Sequence, residues 1–466
     1  MNVRTLLLLL VPVLSPLYAL AQADAPDSTA YSFWASFADK NDSPYSIDEP
    51  SAYLSERAVE RRARLGIPVT EQDFPPNPSY LQSIREQGGN IHHYSRWLNA
   101  ATFYAPSSIA EQVAELPFVD TVWMAGPYRP PFEAREYRAE MDSLKAKRQP
   151  EKTYGYGQKQ IAMLNGDSLH RLGFRGEGVL VGVLDGGFIG VDKSPFFDSL
   201  RAGGRILSSV DIIDGDTLAW ESSTHGTKVL STMGANVEGV LVGTAPDASY
   251  VCIKTEDTRG EHRIEECHWV AGIEYADSMG VDVVNSSLGY TTFDDPSMNY
   301  DSSSLNGKLS VASLAADIAA EKGILVVTSA GNAGGSPWRL IGIPADAANA
   351  LSIGATDLNG ELAGFSSVGP SSDGRIKPDV VAPGAWVFTA DAFMYRVVFA
   401  SGTSFASPIT AGLVACLRQA FPEKSVKAIC DAVRMSGSQA SQPDSEQGYG
   451  LPDFAKAYQL LSEKKK

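Results

Sequence analysis

Four polar residues have the types that nucleophilic chemistry on a carbonyl requires. Asp185 stands in Val183-Leu184-Asp185-Gly186-Gly187, and His225 in Thr224-His225-Gly226-Thr227. Asn332 closes Ser329-Ala330-Gly331-Asn332, and Ser404 lies in Gly402-Thr403-Ser404-Phe405-Ala406-Ser407-Pro408. A serine hydroxyl is a weak nucleophile until a neighbouring imidazole takes its proton. A carboxylate on the far side of the ring holds the imidazole in one tautomer and stabilises the imidazolium that forms. An Asn amide can donate to the oxyanion that develops on the attacked carbonyl, with the Ser404 backbone amide as second donor. The glycines flanking the set let backbone approach a substrate without a Cβ in the way. Singly, Asp185 reads as a turn cap and His225 as a core histidine. Only the four together read as catalytic.

Placing them needs a particular scaffold. From Tyr154 onward short, almost wholly apolar runs recur at Val179–Leu184, Tyr250–Ile253, Val281–Val284, Ile324–Thr328 and Ala350–Ile353. They lack alternation, so strands buried on both faces are expected. Helical stretches such as Ile264–Ser278 and Leu309–Glu321 lie between them, and this alternation predicts an α/β fold with a doubly wound, mainly parallel sheet. In such sheets ligands bind beyond the carboxyl ends of the strands. Asp185 directly follows the first run, while His225 and Ser404 each open an apolar helical stretch. Pro408 is expected in the first turn of the Ser404 helix, where no amide bond is lost.

The chain in front has a different texture. Within 27–130 the pattern reads as strand (Tyr31 to Ala38), helix (Pro50 to Leu65), strand (Asn90 to Tyr94), strand (Asn99 to Tyr104), helix (Ser107 to Leu116) and strand (Phe118 to Met124). That βαββαβ order belongs to a small α+β ferredoxin-like domain. Arg57, Arg61, Arg62 and Arg64 are placed on the wet side of the first helix. Residues 131–153 are rich in Glu, Arg and Lys with almost no large apolar side chains, as in an exposed linker. Residues 1–23 carry Arg4, an apolar run from Leu6 to Val11 and the small-residue end Ala19-Leu20-Ala21, which reads as a signal peptide. The expected divisions are therefore 1–23, 24–130, 131–153 and 154–466, in an exported protein whose mature form has no membrane span.

Composition excludes several functions. Of 466 residues, 55 are acidic and 39 basic, a net charge of −16. Such a chain repels phosphate backbones and anionic membranes, so no nucleic acid partner is expected. No phosphate-binding G-x-x-x-x-G-K-[ST] loop is present.

The order Asp185, His225, Asn332, Ser404, with D-G-G, H-G-T, S-A-G-N and G-T-S-x-A-x-P around them, resembles the subtilisin-like serine peptidases, or subtilases. The resemblance runs from about Tyr154 to Leu451. It implies a serine endopeptidase acting on proteins or peptides through Asp185, His225 and Ser404, with Asn332 in the oxyanion hole. It implies that 24–130 is a propeptide that inhibits its own catalytic domain, with the processing site in or near 131–153. It further implies that Ser287-Leu288-Gly289 pairs with extended substrate and that Ala330 and Gly331 line the pocket for the residue before the cut. Two positions depart from the common pattern: Gly186 replaces Ser or Thr after the aspartate, and Phe405 replaces Met after the serine. The alternatives are a catalytically silent binding protein on the same fold and an acid peptidase of the sedolisin type.

The other candidates carry less. Cys252, Cys267, Cys416 and Cys430 could form two local disulfides or remain free thiols. His262 and His268 flank Cys267 without zinc-site spacing, so no metal is assigned there. His92 and His93 could sense pH, but solvated histidines are the plainer reading. The chemistry needs no cofactor, although Asp211, Asp214 and Asp216, or Asp294, Asp295 and Asp301, could hold structural calcium. A monomer is expected.

Overall fold

The computed structural model describes residues 30–130 and 153–463, so the expected signal peptide and nearly all of the linker lie outside the described residues. The N-terminal elements are β1 (Tyr31–Phe37), α1 (Glu56–Leu65), α2 (Pro78–Glu86), β2 (Asn90–Ser95), β3 (Ala100–Ala105), α3 (Ser107–Ala114) and β4 (Val119–Pro127). Four antiparallel strands lie in the order β2-β3-β1-β4. Leu81 and Ile84 of α2 and Ala110 and Val113 of α3 fill one face of this sheet with Phe33, Phe37 and Phe103. The helix that completes the first βαβ half is thus α2. Its start is written in Asn77, whose side chain caps the Ser79 amide, followed by Pro78 at the first position.

Helix α1 has another task, and the wet-side assignment of its arginines is half wrong. Arg61 and Arg62 are each 1% exposed. Both pair with Asp277, Arg62 at 3.0 Å, and Arg62 also reaches Asp73 at 2.8 Å. Arg57 and Arg64 pair with Asp282 at 2.5 and 2.8 Å. Arg96 joins at 3.0 Å from Asp277, and Glu274 accepts from the Arg96 amide at 2.7 Å. A run of arginines on a helix looks solvated when its partners lie two hundred residues away in the chain.

The larger part begins with α4 (Gln158–Ala162) and α5 (Gly166–Arg171), then β5 (Leu180–Asp185), α6 (Asp198–Ala202), β6 (Ile206–Asp211) and α7 (His225–Gly234). A short hairpin, β7 (Asn236–Val237) and β8 (Leu241–Val242), precedes β9 (Ser249–Lys254), α8 (Ile264–Met279), β10 (Val283–Ser286) and α9 (Val311–Glu321). After β11 (Leu325–Ser329), β12 (Leu351–Thr356) and β13 (Val380–Pro383) come the hairpin β14 (Val387–Ala390) with β15 (Val397–Ala400) and the helices α10 (Thr403–Ala420), α11 (Val426–Ser436) and α12 (Phe454–Ser462).

Seven strands form one parallel sheet in the order β13-β12-β11-β10-β5-β9-β6, the expected doubly wound architecture. Side chains of β5 alternate between two cores: Val181 and Val183 pack under α7, α10 and α11, whereas Leu180 and Leu184 pack under α8 and α9. Burial on both faces is why these strands show no polar alternation. Strand order reverses between β5 and β10, which opens a crevice at their carboxyl ends.

Helix α8 is covered on both sides. It packs on β5 and β9 beneath and on β1, β2 and β4 above, so Trp34 and Trp97 share a core with Trp269. Twelve of its sixteen residues are buried, which erases the polar stripe of a surface helix. All four cysteines are free and buried, which excludes the two local disulfides. Cys252 faces the core under α7 and Cys267 the core on the opposite side of the sheet, so those two cannot meet.

Candidate active site

Asp185 is the last residue of β5 and is fully buried. Its carboxylate accepts from the Gly186 amide at 2.8 Å, and its two oxygens lie 2.9 and 3.0 Å from His225 Nδ1. Gly187 makes this turn possible: with φ of 138°, a Cβ there would lie 2.0 Å from the Glu221 carbonyl. Gly226 is equally constrained, since its Cβ would meet the Gly187 carbonyl at 2.6 Å. These approaches bring β5 and the start of α7 together. His225 is the first residue of α7, and its amide donates to Ser223 Oγ at 3.0 Å. Burial works to lower the imidazole's pKa, but the charge and hydrogen bond of Asp185 outweigh it and hold the group above the ordinary histidine value.

Ser404 is the second residue of α10 and is buried. Helix amides this near the start have no helical acceptor, so they and the helix dipole favour an anion beside them. The Ser404 hydroxyl donates to the Ser287 carbonyl at 3.3 Å. Among the described residues it makes no hydrogen bond to His225, a looseness common before substrate arrives. The Phe405 ring lies 5.6 Å from the His225 ring, where the departure from Met places an aromatic wall.

Pro408 sits deeper than expected. It is the sixth helical residue, so its missing N–H would have bonded the Ser404 carbonyl. That carbonyl accepts from Ser287 Oγ at 2.8 Å instead. Asn285 Nδ2 donates to the same hydroxyl at 3.0 Å, and Ser407 Oγ donates to Asn285 Oδ1 at 2.7 Å. The proline thereby frees an acceptor that ties β10 to the helix carrying Ser404.

Asn332 is exposed beside this turn. Its Oδ1 accepts from the Thr403 amide at 2.8 Å and from Thr403 Oγ1 at 3.0 Å. With the oxygen held this way, Nδ2 is the edge left to donate. The Gly331 amide donates to Thr403 Oγ1 at 3.1 Å, and Gly331 has φ of 109°.

The expected substrate residues fall in different places. Ser287 is buried and bonded to Ser404, Leu288 is half-buried and Gly289 exposed. Ala330 is fully buried in the core under α8 and α9, with its carbonyl taken by the Gly342 amide at 2.9 Å. Leu288 lines a cleft of about 360 Å³ together with Asp185, His225 and Ser223. Sequence reading passed over four acids of this cleft, Glu256, Asp257, Glu261 and Glu265, and offered the fifth, Asp294, only as a calcium candidate. Burial raises the carboxyls of both Glu256 and Glu265, and the charge of Glu261 adds to it.

The N-terminal sheet reaches this cleft. Beyond β4, Arg129 Nη2 lies 3.0 Å from His262 Nε2, and Arg259 donates to the Pro130 carbonyl at 2.7 Å. Residues 257–261 of that loop contribute Asp257, Thr258, Gly260 and Glu261 to the cleft wall.

The candidate calcium groups are rearranged. Asp211 and Asp214 gather with Glu221 rather than Asp216, and Lys254 lies 2.5 Å from Asp211 and 3.2 Å from Glu221. An ammonium thus stands among these acids. Asp295 and Asp301 separately cap local turns at Ser297 and at Ser303–Ser304. Cys267 donates to the Arg263 carbonyl at 3.8 Å.

Comparison with known proteins agrees with this architecture. The model of the peptidase S8 subtilase family matches residues 176–450, and that of the peptidase S8 propeptide domain of Bacteroidota matches residues 32–140. Subtilisin DY of Bacillus licheniformis is 32% identical over 297 residues, covering 63% of this chain and 94% of that protein. Subtilisin NAT of Bacillus subtilis subsp. natto is 29% identical over 345 residues, covering 73% of this chain and 75% of its own. Subtilisin BL of Lederbergia lenta is 32% identical over 268 residues, 57% of this chain and 85% of its own. A parallel seven-stranded sheet, an N-terminal propeptide domain and these matches together place the chain in the subtilase family of serine endopeptidases.

Proposed function

We propose that this protein is an exported, monomeric subtilisin-like endopeptidase that is made as a self-inhibited zymogen and works through Asp185, His225 and Ser404. The observation that carries the reading is the buried Asp185 carboxylate held against His225 Nδ1, with Ser404 at the start of a long helix across the crevice. His225 Nε2 takes the Ser404 proton as Oγ attacks the peptide carbonyl. The resulting oxyanion sits between Asn332 Nδ2 and the Ser404 amide. Protonated His225 then gives its proton to the leaving amine, and water hydrolyses the acyl-enzyme by the same groups. The propeptide holds the site by packing on α8 and running along the 257–262 loop to the cleft. The chemistry draws on no cofactor. Among the described residues no helix is long and apolar enough to cross a membrane.

A fluorophosphonate probe tests the reading directly. The processed protein should acquire one covalent adduct, which peptide mapping should place on Ser404. A protein that is folded and processed yet unlabelled would leave only the silent binding role.

Two further outcomes follow. Asn332→Ala should lower kcat about 10²–10³-fold with little change in KM, the size of the oxyanion term known from subtilisin. A comparable rise in KM with kcat unchanged would instead make Asn332 a ground-state contact. Activity should also fall on acidification with a midpoint above about pH 6.5, the ordinary histidine value, because Asp185 holds the proton on His225 and an imidazolium cannot act as base. The kcat/KM profile checks this. A limb below about pH 5 would favour the acid-peptidase alternative.

A further inference from the structure

Three histidines that take no part in peptide hydrolysis meet where the propeptide sheet lies on α8. His92 and His93 are consecutive on the edge strand β2, and His268 is on α8. Neighbours on a strand ordinarily face opposite sides. Here the pairing of β2 with β3 slips between Ile91 and His93, and this bulge lets both rings turn toward the catalytic domain. Ring centroids lie 3.8 Å apart for His92 and His93, 5.7 Å for His92 and His268, and 5.9 Å for His93 and His268.

Two of the three rings keep nitrogens without a partner. One ring nitrogen from each histidine lies within 4.8 Å of the other two. His93 Nε2 donates to the Ile212 carbonyl at 2.5 Å, which leaves Nδ1 with its lone pair. His268 is 3% exposed, and neither of its ring nitrogens has a hydrogen-bond partner. His92 Nε2 is likewise buried without one. Buried polar atoms are nearly always satisfied, so the unpartnered nitrogens of His92 and His268, gathered with a nitrogen of His93, call for a ligand. Burial lowers His92 to about 4 and puts His93 and His268 well below the usual value. All three are therefore neutral at neutral pH, the form that ligates metals.

We propose that His92, His93 and His268 bind one first-row transition dication, zinc by donor type, across the interface between propeptide and catalytic domain. Zinc–nitrogen bonds of about 2.0–2.1 Å require the three nitrogens to draw in to about 3.3 Å of one another, a side-chain movement, with a fourth position left for water. Two ligands belong to the propeptide and one to the catalytic domain. The ion thus staples the zymogen, and its site is dismantled when the propeptide leaves.

The test uses the chain carrying Ser404→Ala, confirmed intact by mass spectrometry. It rests on the proposed function only for that intactness. After treatment with chelator and its removal, titration with Co(II) should give a visible d–d band that saturates at one equivalent, and zinc should displace it one for one. The same chain carrying His92→Ala and His268→Gln should lose that equivalent. X-ray absorption on the zinc-loaded chain gives a readout independent of those variants and should show three imidazole nitrogens. No stoichiometric uptake, an equivalent retained in the double variant, or a first shell of oxygen alone would each overturn the site. Metal retained by the wild-type enzyme after its propeptide is removed would overturn the staple. Failure of the wild type to process itself would count against the proposed function and leave the titration unaffected.

Discussion

Ser404→Ala should leave the propeptide joined to the catalytic domain and reduce peptide hydrolysis by on the order of 10⁶-fold in kcat, the loss known for the corresponding change in subtilisin. The effect is this large because the groups act as a unit. Without Oγ, the Asp185–His225 pair has no proton to accept, and no acyl-enzyme can form. What remains is the contribution of Asn332, the helix amides and substrate binding. The fold should be unaffected: Oγ donates one hydrogen bond to the Ser287 carbonyl, while the bond that ties α10 to β10 runs through the Ser404 carbonyl, which alanine keeps. Mass spectrometry of the purified wild type and variant checks processing, and steady-state kinetics on a peptide substrate checks the rate after propeptide removal by a second protease. Processing at the wild-type rate in the variant would assign maturation to another enzyme. Hydrolysis at more than about one per cent of wild type would remove Ser404 from its role.

Asp277→Ala should destabilise the zymogen by about 3–5 kcal/mol, the range for removing one partner of a buried ion pair. Asp277 is fully buried and receives Arg61, Arg62 and Arg96 from the propeptide. Burial alone would raise its carboxyl, but the three guanidiniums hold it well below the usual carboxylate range. Truncation strands Arg61 and Arg62 in the interior, and Arg62 keeps only Asp73. Urea unfolding of the Ser404→Ala chain with and without the second change measures the difference. An unchanged midpoint would show that the pairs across α8 contribute no net stability. The sign of the pH effect follows from the depressed pKa. The stabilisation is fully present above about pH 4, the unfolded value for an aspartate, and is lost as pH falls through the much lower folded value. Mild acid should therefore leave this network intact.

What could be read without coordinates were properties carried by local sequence. The apolar strand runs are legible because burial on both faces removes polar alternation, and β5, β9, β10, β11 and β12 fall within a few residues of their expected places. Strands β6 and β13 escaped because the polar Ser208-Ser209 in one and the short length and closing Pro383 of the other resemble loop. The four candidate residues stand out as a set because each sits in a short motif, and the glycines of two of those motifs, Gly187 and Gly226, answer to steric demands at that very point.

Tertiary structure decided everything that depends on elements distant in the chain. It buried Arg61 and Arg62, because Asp277 waits on a helix more than two hundred residues later. It set Glu256, Glu261 and Glu265 against Asp185 and His225 in one cleft and placed Lys254 among the acids that could have held calcium. It gave the Ser404 carbonyl a partner in Ser287 that makes Pro408 tolerable inside a helix. It also brought His92 and His93 against His268 through a strand bulge, which no spacing rule foresees. The physical reason is common to all of these. Sequence encodes which groups face inward and which turns are sterically allowed, whereas the partner of a buried charge or lone pair is chosen by how separate elements pack.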